Sequence, residues 1–180
     1  LGAGGIVAGL AILAAFVIEI PQPLVAPRII LFNLGCIGVV LAVHRRQASV
    51  APVIALAGAV PAVLANLWYL VMVVLAIDRP DPVFGGDFGL VFFWAGMALW
   101  LADAWFGIMT LRLGAVTRWG ALAVGIGSLL TMLGIDRLGL VSEANPTIFN
   151  ALATGGIVIL SVGWILLGVD VARRRTSTTD

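Results

Sequence analysis

No lysine occurs anywhere in this chain; its ten basic side chains are all arginine. That excludes chemistry built on a lysine amine, including a Schiff base to retinal or to pyridoxal phosphate. Cys36 is the only cysteine and lies in an apolar run, so an internal disulfide, an iron–sulfur cluster and a CxxC redox pair are excluded as well. His44 is the only histidine. It stands beside Arg45 and Arg46 at a helix end, the place of an interfacial polar residue, and one imidazole builds neither bis-histidine haem ligation nor a multi-histidine zinc site. Charge of either sign is scarce: 11% of residues are charged, against about a quarter in a soluble domain.

What fills the chain instead is apolar. Of its 180 residues 62% are hydrophobic, and the mean hydropathy is +1.15. Runs of about 20 apolar residues suffice to cross a hydrocarbon core about 30 Å thick, and several such runs follow one another with short polar breaks between them. Only helices and closed barrels satisfy their backbone groups in lipid, and a barrel needs alternating strands of about ten residues, which this sequence does not offer. The expectation is an all-α fold, a polytopic membrane bundle of six transmembrane helices forming one domain over 1–180. Spans are expected near 1–20, 27–44, 51–77, 88–111, 118–135 and 147–171. The breaks carry turn and cap chemistry: "PQPLVAP", "DRPDPVFGGD", and "SEANPT", where Asn145 fits an N-cap and Pro146 the first helical position. The chain opens on Leu1 rather than Met, which points to a start segment before it.

The arginines set an orientation. Arg45, Arg46, Arg112, Arg118, Arg173, Arg174 and Arg175 fall on one side of the expected spans, and Arg28, Arg79 and Arg137 on the other. Cytoplasmic loops carry the excess of basic residues, so the richer side, and with it both termini, is expected in the cytoplasm. The corresponding localisation is a cell membrane of the bacterial inner-membrane type. Asp78, Asp81, Asp87, Asp136 and Glu143 then collect outside, with Glu19 near the outer end of the first span; they read as solubilising and helix-capping residues before they read as a cation-attracting vestibule. The arginine tail anchors to anionic lipid and gives no reason to expect nucleic acid. The lipid bilayer is thus the expected partner. Gly5 and Gly9, and Ala151 and Gly155, have the spacing of small residues that let helices approach, within one bundle or against a second copy or a partner membrane subunit. Pro61, inside the long third span, is expected to kink or tilt it.

Catalytic sets are missing. Ser128 has no histidine in its span, no HExxH occurs, no span carries two aspartates at helical spacing, and "GAGG" near the start lacks both a preceding strand and a P-loop lysine. Nothing calls for a cofactor or a metal, and enzyme activity is the least supported class.

What remains is polar residues inside the spans. Counting about 1.5 Å per residue from the arginine-bearing ends puts Asp103 about 14 Å deep, Ser128 about 15 Å, and Asn33 and Ser161 about 18 Å; Asn66 lies about 20 Å from the start of its span. Five spans each bring a polar group near mid-membrane. An ionised carboxylate there costs about 2.5 to 3.5 kcal/mol on insertion scales, and no arginine shares its depth, so a neutral Asp103 is expected, with Asn66, Ser128 or Asn33 as hydrogen-bond partners. Trp100 lies three residues from Asp103 on the same helical face. Trp119 fits the interfacial belt, while Trp68, Trp94, Trp105 and Trp164 lie deeper and need partners for their ring N–H groups. Two functional readings follow. In the first, a non-enzymatic membrane protein handles a small solute, proton or cation through a site of Asp103, Asn66, Asn33, Ser128, Ser161 and Trp100. In the second, an accessory or assembly subunit uses the same belt only to fix helix packing or partner contact.

Overall fold

A computed structural model describes residues 6–7, 9–10, 25–77, 86–134 and 146–176. They are helical apart from short turns: α1 (Val25–Gln47), α2 (Pro52–Ala76), α3 (Gly86–Leu113), α4 (Arg118–Gly134) and α5 (Pro146–Thr176). These match the second to sixth expected spans to within five residues at each end. The expected first span lies largely outside the described residues, as do Asn145 and the acidic loop residues other than Asp87, which sits in the first turn of α3 where a carboxylate complements the helix dipole. Four of the five helices are long and apolar enough to cross a membrane. α4, with 17 residues, is shorter, about 25 Å.

Local chemistry sets the boundaries. Pro52 opens α2 at a position where its missing N–H costs nothing, and Pro146 does the same for α5. Gly114, at φ +63°, ends α3 in the left-handed conformation, its N–H reaching back to the Thr110 carbonyl at 3.2 Å. The helices pack in chain order into a ring that α1 closes against α5, and α1 also reaches α3 across the middle. The arginine-bearing end is tied by Arg46. Its guanidinium donates to the backbone carbonyls of Asp170 (3.3 Å) and Val171 (2.8 Å) and pairs with the Asp170 carboxylate at 3.7 Å, while that carboxylate accepts the Thr117 N–H ahead of α4 at 3.3 Å. One acid thus joins α1, α5 and the α3–α4 turn. Trp119, beside this cluster, is 74% exposed, as an interfacial anchor should be.

The tightest contact is between α4 and α5, which run antiparallel with glycines at heptad spacing. Gly120, Gly127 and Gly134 on α4 and Gly156 and Gly163 on α5 face the partner helix; a Cβ at Gly127, Gly134, Gly156 or Gly163 would run into its backbone. Gly107 gives α3 the same close approach to α4 at Ala121 and Gly125. Backbones this near gain dispersion contact that lipid tails cannot match. Of the small residues singled out by spacing, Gly9 does pack on α5 at Ser161 and Ile165, whereas Gly155 faces open space.

Pro61 explains one contact between α2 and α3. It has no N–H to give the Ala57 carbonyl one turn earlier. Trp105 on α3 supplies the donor instead, its ring N–H lying 3.0 Å from that oxygen. The outward tryptophan is therefore a prosthesis for a broken helical rung.

Trp105→Phe should lower stability by about 1 kcal/mol, and the loss should shrink when Pro61→Ala restores the N–H; a double-mutant cycle on unfolding in mixed micelles measures the coupling. In the same assay Gly156→Ala should cost about 1–3 kcal/mol by overpacking. Its neighbour substitution Gly155→Ala should be neutral or stabilising by up to about 1 kcal/mol, since only helix propensity changes there.

Candidate functional site

Asp103 and Asn66 face one another at the α2–α3 contact. Asn66 Nδ2 donates to Asp103 Oδ1 at 3.2 Å, and both side chains have no solvent-exposed surface. The same Nδ2 donates to the Ala62 carbonyl of its own helix at 2.8 Å. Among the described residues Asp103 Oδ2 and Asn66 Oδ1 have no hydrogen-bond partner, and no cationic side chain pairs with the acid. An unpartnered buried polar atom costs about 1–3 kcal/mol, and here both members of one bonded pair carry one.

α1 contributes Cys36, fully buried and near enough to Asp103 to interact electrostatically. Sequence reasoning uses Cys36 only to exclude disulfide, iron–sulfur and CxxC chemistry and does not place it at the site. The signal that finds it is the depth count used for the acid: Cys36 stands nine residues before Arg45, as Asp103 stands nine before Arg112, and α1 and α3 run the same way.

The remaining candidates are buried but bonded elsewhere. Asn33 donates to the Ile29 carbonyl at 2.8 Å, leaving its Oδ1 unpartnered. The Ser161 hydroxyl donates to the Ile157 carbonyl at 2.7 Å. Ser128 Oγ has no partner; three residues on, Thr131, which the sequence reading passed over, donates to the Gly127 carbonyl at 2.7 Å. Each of these residues except Ser128 satisfies a donor within its own helix turn. Among the described residues Asn66 is the one of these candidates that bonds to Asp103.

Trp100 is half-buried and packs against the apolar core that includes Phe32, Cys36 and Val40. One turn from Asp103 toward the arginine-bearing end, Phe106 stacks on Trp164 with ring centroids 6.0 Å apart and planes 11° from parallel; both are fully buried. Trp68, Trp94 and Trp105 face outward instead. Among the described residues no three His, Cys, Asp or Glu side chains come together as metal ligands.

No family model matches the chain, and no curated protein and no solved structure is detectably similar to it.

A membrane-permeant maleimide should label Cys36 at least tenfold more slowly in the folded protein than in SDS, because a thiol with no exposed surface must wait for an opening of the bundle; labelling kinetics followed by mass spectrometry measure that opening directly.

Proposed function

We propose that the chain is a non-enzymatic membrane protein of six spans over 1–180, both termini cytoplasmic and seated in a bacterial-type inner membrane, that handles a small solute, proton or cation at the site centred on Asp103. Asn66 bonds the acid directly. Asn33, Ser128 and Ser161 supply further polar atoms at like depth, and Trp100 forms part of the wall. The carrying observation is the buried Asn66–Asp103 pair with one oxygen of each partner unpaired. Packing alone is served by a bonded pair with nothing left over; free buried oxygens ask for an occupant. An intramembrane acid facing the bundle interior is, by its cost, a functional group by default.

The absence of exposed surface at the site favours a second reading, an accessory or assembly subunit in which the pair only fixes α2 against α3. On the first reading this structure is the closed state of the site.

Purified protein in proteoliposomes should show solute or ion flux, and Asp103→Asn should reduce it at least tenfold while the protein stays monodisperse and helical. A parent protein that carries nothing, or a variant with undiminished flux, would move the assignment to the accessory role, which predicts altered stability or altered partner capture for the same substitution.

A further inference from the structure

We propose that the species handled at this site is a proton, carried on Oδ2 of Asp103, and that Asn66 is a positioning residue holding Oδ1 of the same carboxyl. This deepens the transport reading and rests on it.

The orientation of the Asn66 amide decides between a proton and a metal cation. One N–H of Nδ2 is committed to the Ala62 carbonyl at 2.8 Å, an acceptor that the amide oxygen cannot face. The Asn66 side chain is thereby locked with its nitrogen in position, and the second N–H points at Asp103 Oδ1 at 3.2 Å. A hard cation is held by converging oxygen lone pairs, often six or more. Here the group nearest the carboxylate offers a donor hydrogen, which repels a cation and competes for the oxygen that would bind it. Asn33 is turned the same way, its Nδ2 fixed on the Ile29 carbonyl.

Space separates a proton from a solute. Asn33, Asn66, Asp103, Ser128 and Ser161 all have no exposed surface, so the closed site leaves no void beside them for a molecule. A proton needs none. It needs an oxygen with a free lone pair, and Oδ2 is one.

The surroundings do not compete for it. Of the elements packed on α3, α1 carries the buried Cys36, a neutral thiol, and α2 presents Asn66. Tyr69, also on α2, sits against Phe92 at 5.4 Å between ring centroids, eleven residues from Asp103 along α3 and so about 16 Å away. α4 brings the neutral Ser128 and Thr131 at this depth. Among the described residues no arginine or histidine at this level pairs with the carboxylate.

The step is a proton transfer. When water enters from one side, the O–H bond at Oδ2 breaks and the water takes the proton. The carboxylate left behind keeps the Asn66 N–H at Oδ1, and a proton delivered by water from the other side restores the acid.

The test uses the intact chain in proteoliposomes under a potassium diffusion potential, with an internal pH dye and, in parallel, radiolabelled sodium and rubidium. Proton uptake by the parent protein, reduced at least tenfold in Asp103→Asn, with no Asp103-dependent movement of either labelled cation, is the expected result. Asp103-dependent sodium or rubidium flux without proton uptake overturns the proton assignment and leaves the transport reading standing. No flux of any species removes both. Infrared spectroscopy checks the carrier without relying on a variant's flux: the parent should show the carbonyl band of a protonated carboxyl, absent in Asp103→Asn, and its absence in the parent overturns the proposal. In Asn66→Ala that band should move to higher frequency as its hydrogen bond is lost. An unmoved band overturns the positioning role, since a merely structural asparagine would leave it in place.

Discussion

Inside a hydrocarbon layer a polar group has no water to fall back on, and the arrangement of this bundle follows from how each such group is met. Most are met locally. Asn33, Asn66, Thr131 and Ser161 all return a donor to a carbonyl four residues earlier, the cheapest solution because it asks nothing of a neighbouring helix. Where the local solution fails, as at the Ala57 carbonyl opposite Pro61, another helix supplies the partner. Among the described residues neither solution completes Asp103, Asn66, Asn33 or Ser128, and Asp103 is the one of these that can carry a charge.

Packing supplies what polar bonding does not. The heptad glycines of α4 and α5 make those two helices nearly one unit, and Gly107 couples α3 to it. This shields α4, whose length alone is marginal for crossing a membrane: it is flanked on two sides by longer helices and tied at its start through Asp170. The α2–α3 contact has a different character. It combines Gly58 against Met109 with two side-chain hydrogen bonds, Asn66 to Asp103 and Trp105 to Ala57.

The positions of α1 to α5 were legible in the sequence because length and hydropathy mark them directly, to within five residues at each end. Position along each helix was legible too, since the rise per residue is fixed. Rotation was not. Apolar residues are spread almost evenly around α3 and α5, so periodicity does not distinguish the face turned to the bundle from the face turned outward. That is why Asn66, Ser128 and Asn33 are equivalent partners for Asp103 on sequence grounds, and why spacing points to Gly155 while Gly156 makes the contact. Cys36 was missed for a related reason: judged by residue type it is one more apolar side chain, and only its angular position brings it to the acid. Asp170 escaped notice because counting arginines ignores the acid that gathers them.

Pro61 gives α2 two unequal mechanical segments. The rung at Ala57–Pro61 is already absent, so α2 bends there at lower cost than anywhere else along its length. Beyond that point lies the portion that carries Asn66, and before it the portion anchored next to Arg46. The amide that meets the carboxyl rides on the distal portion, and Trp105 bridges the missing rung from the neighbouring helix. The helix thus carries its own articulation five residues from the one side chain that touches the acid.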